Sequence, residues 1–485
     1  MRVMISSNGY FVNSGYGIQC RSLMPRLAEL PEFGGSIGSL EGRKNVAQFA
    51  WFGNQAAIQT VDGFTIYPAG NDPYGNDVIG RHVRHHGSSI CIYLIDAWVL
   101  RDVAKSISPS LFLPWFPVDH DPIPSRVLDG IAGAHMPLTY SKWGRDMCNA
   151  IGVENTYIPH GVEPSIYHVI DRETAKEFKR QITGLDDCHL TIMVAANKGY
   201  PDRKAFTTQL PAWAMFAKDK PHARLYIHTE PSPMYGGVDF GALIADLGIQ
   251  DKVIFPDRYE NFLGMPQQYL ALVYNAGDVL MGAAMSEGFG IPLVEAQACG
   301  TPVITTDFSA MPELVRWGVA VEPLTRIWTP MNAWQVLPDP RQIRTALEVY
   351  HQLWLDNGHD LPLAKRIETQ NAIHAEYDWD IIVRDQWAPL MTRLADEAPP
   401  LDERFRVGGV EVPKAQDDSV AGFVDALNEG VAAEKKPRPK KRVAPLVPPS
   451  EREAVRQHFD SVTERATKRK AAHDAVDAAL DEVAE

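Results

Sequence analysis

The sequence predicts an α/β protein built on doubly wound parallel sheets and ending in a partly disordered tail. Three observations carry this. Between residues 190 and 322 short apolar runs alternate with helical segments, the pattern of a parallel sheet wrapped by helices. The chain opens on an apolar run, a glycine-containing loop and a helical stretch. After Glu397 the composition turns Pro-, Lys- and Glu-rich, as in a solvated linker. A length of 485 residues suits two or three domains, and 45% hydrophobic residues suffice for sizeable cores. A net charge of −14 excludes a generally basic nucleic-acid binder while leaving room for a local basic cleft. Five scattered cysteines point to reduced thiols in a cytoplasmic protein rather than to a disulfide framework. The N-terminus is too short for a signal peptide, and no apolar run approaches a membrane span.

In chain order, residues 2–7 read as a strand, 8–17 as a loop and 18–30 as a helix interrupted by Pro25. Gly15 and Gly17 at this strand-to-helix junction suit close approach of backbone to a ligand. Residues 31–87 show no firm period apart from a turn cluster, Asn71 to Asp77. His82, His85 and His86 lack neighbouring carboxylates and read as a solvated face, not a metal site. Residues 89–95 and 111–118 read as buried strands, the second running into Asp119-His120-Asp121-Pro122. His120 thus stands at the edge where α/β sheets bind ligands, with Asp119 as its rival. The Asp-x-Asp matches here and at Asp378-Trp379-Asp380 are too short to indicate a metal. A strand at 136–141, a helix at 142–150 and a charged helix at 171–182 complete this half.

The second half is regular. Strands are expected at 190–196, 224–228, 253–256, 279–284, 302–306 and 319–322, with helices at 205–217, 240–247, 266–275 and 292–299. The first strand is followed by Asn197-Lys198-Gly199-Tyr200-Pro201-Asp202-Arg203-Lys204, where Lys198, Arg203 and Lys204 meet a helix N-terminus. Cations and free N–H groups together make a diphosphate clamp. The fourth strand leads into Ser286-Glu287-Gly288-Phe289-Gly290-Ile291-Pro292-Leu293-Val294-Glu295-Ala296. Its glycine turn feeds a helix whose first turn tolerates Pro292, and Glu295 lies two turns along from Glu287. Helices follow at 338–357, 363–376 and 379–396. Residues 397–449 read as a disordered linker with a basic run at 434–442. Residues 450–485 read as a short helical tail that offers a partner a docking element.

The Glu287-to-Ala296 pattern, continued by Gly300-Thr301-Pro302-Val303, resembles the donor-sugar motif of the retaining glycosyltransferases of family four, which have the GT-B fold. The resemblance covers residues 1–395 and is specific over 190–310. It implies two Rossmann-like doubly wound domains facing a cleft: an acceptor domain at 1–182 and a nucleotide-sugar domain at 183–376, with residues 377–396 crossing back to the first. It also implies transfer from a UDP-, GDP- or ADP-linked sugar with retention of anomeric configuration and without a metal or other cofactor. Glu287 would hold hydroxyls of the donor sugar and Glu295 the ribose. The diphosphate would meet Lys198, Arg203, Lys204 and the backbone of Gly288, Phe289, Gly290 and Ile291. Lys204 takes the place of the family's lysine, and Lys198 or Arg203 that of its arginine. The loop with Gly15 and Gly17 would face the cleft, and either His120 or Asp119 would point at the sugar. His160 stands where the family has Asn in a Pro-Asn-Gly-Val segment. The acceptor stays open among glycan, lipid, protein, small molecule and modified nucleobase. A non-catalytic nucleotide-sugar- or glycan-binding protein on the same fold is the rival. An epimerase with bound dinucleotide is disfavoured, because no Gly-x-Gly-x-x-Gly follows the first strand.

Overall fold

The structure, a computed structural model, describes residues 1–35, 40–199, 202–233 and 236–399. Tyr200, Pro201, the linker from residue 400 and the helical tail expected at 450–485 lie outside the described residues.

Two doubly wound sheets organise the described chain. The first runs in the order Gln59–Val61, Phe64–Tyr67, Val46–Phe52, Val3–Asn8, Ile90–Leu94, Leu111–Phe116, Leu138–Thr139, Thr156–Tyr157. Its strands are parallel except for the hairpin at its outer edge. The second runs Val253–Ile254, Ala223–His228, His189–Val194, Val279–Met281, Val303–Thr306, Gly318–Val321, all parallel. Strands covered on both faces read as unbroken apolar runs, as Ile90–Leu94 shows with every residue buried.

In each sheet the winding reverses once: between Val3–Asn8 and Ile90–Leu94, and between His189–Val194 and Val279–Met281. Loops leaving the carboxyl ends of strands at such a reversal splay apart and leave a crevice. Here the two crevices meet. Gly288 of the second lobe lies so close to Pro117 and Tyr140 of the first that a side chain would collide with them. One buried apolar cluster is continuous across both lobes, from Ile92 and Trp115 through Phe289 to Ile192 and Met391. The last helical segment packs on the first lobe, with the Trp387 ring 5.2 Å from Trp115 and Asp380 paired with Arg26 at 2.6 Å.

Several expectations need correction. The first helix begins at Gly15, capped by Ser14, so Gly15 and Gly17 form its first turn rather than a preceding loop. Residues 31–87 contain strands at Val46–Phe52, Gln59–Val61 and Phe64–Tyr67, which local pattern did not reveal. Of the histidines there His86 departs from the expected solvated face, being buried and bonded to Ser88 and the Lys44 carbonyl, whereas His85 is exposed and bonds the Tyr67 hydroxyl. The helix expected from residue 338 begins at Pro340 with Asp339 as its cap. Before it stands an unexpected antiparallel hairpin, Pro323–Trp328 with Trp334–Pro338.

Candidate active site

The second lobe supplies a compact cluster of charge. The Lys204 ammonium and the Arg203 guanidinium both pair with the Glu287 carboxylate, Arg203 at 3.3 Å. Arg203 also donates to the Ser286 carbonyl at 3.0 Å. The two loops at the winding reversal therefore close on each other. Burial alone would raise the Glu287 carboxyl, but Lys204 and Arg203 outweigh it and hold it below its ordinary value. Burial brings the Lys204 ammonium below its ordinary value in spite of Glu287. Gln209 steadies the pair, donating to the Lys204 carbonyl at 2.7 Å while accepting from the Ala283 N–H at 2.9 Å. Ala205, directly after Lys204, holds a left-handed φ of +51°, a strained conformation that turns the chain into the next helix. Lys198 is exposed on the same loop. A cavity between the loops is lined by Ala195, Lys204, Glu287 and Gly290.

The glycine turn joins the lobes. Gly290, at φ +113°, caps the helix Ile291–Ala298, a backbone conformation that suits glycine. Phe289 turns its ring into the first lobe, 5.3 Å from His160 and 6.3 Å from Tyr140. His160 is a packing residue: it is buried among Tyr140, Trp115 and Phe289, and burial lowers its imidazole to about 3. Ile291 approaches the other lobe at Gly15, where a Cβ would stand 3.7 Å from its Cδ1.

Glu295 is placed differently from Glu287. It is 4% exposed, and its carboxylate accepts from the Tyr274 hydroxyl at 2.8 Å, with Tyr167 close by. Burial raises its carboxyl to about 7 against the pull of both tyrosines. Because that value lies above the ordinary 4.5, folding stability is full at low pH and falls as pH rises toward about 7. Glu295→Gln keeps an oxygen for Tyr274 and removes the charge. It is expected to raise the unfolding temperature by a few degrees at about pH 8 and to leave it near wild type at about pH 4.5. An equal shift at both pH values would show that the carboxylate's charge is not what burial opposes.

The first lobe faces this cluster with the loop after Leu111–Phe116. His120 Nδ1 and Asp119 Oδ1 are 2.6 Å apart, and the Ser286 hydroxyl donates to the Asp119 carbonyl. Burial would raise the Asp119 carboxyl, but its bond to His120 and the charges of His120, Arg203 and Lys204 hold it below its ordinary value. Asp96, at the end of Ile90–Leu94, stands beside them with the Tyr16 hydroxyl 3.4 Å away. Burial and the neighbouring Asp119 raise its carboxyl to about 6.

Residues 204–339 match the family of glycosyl transferases group 1. This segment is a group 1 glycosyl transferase domain. The motif from Glu287 to Val303 lies inside it. Over 80 residues the chain is 42% identical to the D-inositol 3-phosphate glycosyltransferase of Mycolicibacterium vanbaalenii, which is 16% of this chain and 16% of that protein's length. It is 29% identical over 195 residues to the protein of the same name from Segniliparus rotundus, 39% of this chain and 40% of that one. Anabaena HepE, solved in complex with UDP-glucose, is similar with a TM-score of 0.57 at 12% identity, covering 82% of this chain and all of its own. Sucrose-phosphate synthase of Thermosynechococcus elongatus is similar with a TM-score of 0.60 at 15% identity, again over 82% of this chain. These likenesses show the GT-B fold, and the segment at 204–339 lies in its second lobe.

Around the group 1 domain the structure adds residues that sequence reasoning missed. Ser309 accepts from the Glu287 N–H at 3.1 Å and so fixes that residue's backbone. Trp334, on the unexpected hairpin, exchanges two backbone bonds with Asp121, at 3.1 and 2.8 Å, while Val336 donates to the Met285 carbonyl at 3.3 Å. The hairpin thus stitches the residue after His120 to the residue before Ser286. Asp96 had a readable signal, a carboxylate at a strand's carboxyl edge, the same rule that singled out His120. Among the described residues no group of three or more His, Cys, Asp or Glu side chains is arranged to hold a metal ion.

Proposed function

We propose that this chain is a glycosyltransferase that moves a sugar from a nucleotide diphosphate to an acceptor hydroxyl with retention of configuration. The observation that carries the reading is the convergence of Arg203 and Lys204 on Glu287 in a group 1 domain, opposite Asp119 and His120. In the reaction the bond from the anomeric carbon to the diphosphate oxygen breaks, and a bond from that carbon to the acceptor oxygen forms on the same face. The acceptor proton passes to the departing diphosphate. Positive charge grows on the sugar ring and negative charge on the leaving group. Arg203, Lys204 and the N–H groups at Gly290 and Ile291 stabilise the latter. Glu287 accepts from sugar hydroxyls, and Asp119 holds His120 against the sugar's face.

Glu295 takes the ribose, accepting from its hydroxyls beside Tyr274; a carboxylate has lone pairs for both. The Glu295→Gln variant should then bind donor more weakly by calorimetry, and unchanged affinity removes the ribose role. No metal enters this scheme, because protein cations carry the leaving-group charge. The five cysteines, all buried thiols, suit a reducing cytoplasm.

Thermal unfolding against a panel of UDP-, GDP- and ADP-sugars, with and without EDTA, tests the reading. One nucleotide class should raise the midpoint in both conditions, since ligand bound to the native state stabilises it. That donor should then be hydrolysed slowly, and NMR should show the released sugar first with the donor's anomeric configuration. A protein stabilised by no donor in the panel does not fit the proposal, and a first product of opposite configuration removes retention.

A further inference from the structure

A row of aromatic rings lies on the first lobe outside the donor machinery. The strands Phe64–Tyr67, Val46–Phe52, Val3–Asn8 and Ile90–Leu94 are parallel neighbours, so the loops leaving their carboxyl ends emerge on the cleft edge. Trp51 stands at the end of one strand, and Tyr74 and Trp98 stand in the loops after two others. Their rings meet edge to face, Trp51 to Tyr74 at 5.6 Å and Tyr74 to Trp98 at 6.5 Å. Asn76 locks the two loops together, donating to the Val99 carbonyl at 3.1 Å and accepting from the Arg101 N–H at 3.0 Å. The Trp98 side chain remains 44% exposed, although large aromatic rings are mostly covered in folded proteins.

The row also has a direction. Trp98 follows Asp96 by two residues. Tyr16 ties Asp96 to the glycine turn: its hydroxyl lies 3.4 Å from Asp96 Oδ1 and 3.3 Å from the Tyr140 hydroxyl, and Tyr140 packs against Gly288, so this end of the row reaches the place of transfer. An aromatic face covers the apolar C–H face of a sugar ring, and a carboxylate accepts from its hydroxyls. At the reacting end Arg203 and Lys204 are already matched by Glu287, Asp119 and Asp96, so a phosphorylated acceptor meets no unmatched cation there. The same matching of charge offers a nucleic-acid backbone little there, in keeping with the net charge of −14.

Resting on the glycosyltransferase reading, we propose that Trp51, Tyr74, Trp98 and Asp96 form the acceptor site for a neutral glycan. Its reacting hydroxyl lies on Asp96 and its following rings lie along Trp98 and Tyr74.

The test uses the full chain on an array of neutral glycans of two or more sugars, with inositol phosphates and single-stranded oligonucleotides as competing probes. The wild type should bind neutral glycans and neither competitor. Trp98→Ala should bind about tenfold more weakly, the loss of one stacked aromatic anchor, and Trp98→Phe should recover much of that loss. Phe262→Ser, at an exposed ring on the second lobe outside the row, should bind as wild type does. The proposal is overturned if the wild type recognises no neutral glycan, if it prefers a phosphorylated or nucleic-acid probe, or if Trp98→Ala binds like wild type. Donor-induced thermal stabilisation of the same preparation separates the two readings. Stabilisation without glycan recognition overturns the acceptor assignment alone, whereas no stabilisation by any donor counts against the glycosyltransferase reading beneath it.

Discussion

Lys204→Ala is expected to cut turnover by about 100- to 1000-fold, the usual effect of removing one preorganised donor from a developing anion. Lys204 pairs with Glu287 on the loop that enters Phe206–Ala217, and its backbone is held by Gln209. On the proposed reading it would meet a diphosphate with little reorganisation. A cation in so dry a place acts more strongly on the leaving group than it would in water. Arg203 remains in the variant, so turnover should be reduced rather than abolished, and Glu287 keeps one cationic partner. Lys204→Arg should recover only part of the loss, because a planar guanidinium does not reproduce the ammonium's reach. The measurement is donor hydrolysis at saturating nucleotide sugar, beside thermal unfolding to show that the variant folds. Turnover within about threefold of wild type would take Lys204 out of the transition state.

The parts of this site that were readable in the sequence are those where local chemistry and tertiary role coincide. The strands His189–Val194 and Val279–Met281 are covered on both faces and show as apolar runs. The loops after them carry cations, glycines and carboxylates whose order is itself the motif. The helix Lys142–Ala150 stands where it was expected, and the structure adds its cap: Ser141, expected in the strand before it, accepts from the Gly144 N–H. The strand Val46–Phe52 could not, because Gln48 interrupts its apolar pattern. That side chain is buried and satisfied only through the third dimension, by the Tyr10 N–H and the Asn8 carbonyl. The hairpin Pro323–Trp328 with Trp334–Pro338 was hidden for a related reason. Most of its first strand is exposed or half-exposed, and Trp334 finds its backbone partner at Asp121, far away in sequence. Glu295 shows the converse: its spacing from Glu287 was plain, but its burial against Tyr274 and Tyr167 depends on a helix and a loop that no local pattern connects to it.

Asp278→Ala is expected to destabilise the protein by about 3–5 kcal/mol, the cost of leaving a buried charge without its partner. Asp278 is fully buried and accepts from Lys179 Nζ at 2.9 and 2.7 Å. It also accepts from the Leu190 N–H at 2.7 Å. Burial raises its carboxyl above the ordinary value, while Lys179 and the Leu190 N–H work against that rise. The pair connects the helix Arg172–Thr183 to the two strands that flank the winding reversal of the second sheet. Removing Asp278 strands the Lys179 ammonium, which is itself 5% exposed, and frees the N–H of Leu190. The double variant Lys179→Met with Asp278→Leu should regain most of the loss, since apolar groups of similar volume often replace a buried pair at little cost. Chemical denaturation of the three proteins decides the matter. A single variant that loses less than about 1 kcal/mol would mean that water reaches the pair and screens it. A double variant no better than the single would place the loss in the Leu190 bond and the packing around it. Lys204 and Glu287 stand on the loops that leave these two strands. Donor binding by Asp278→Ala should therefore weaken only where the protein has begun to unfold, which distinguishes this pair, as a foundation of the crevice, from the charges that line it.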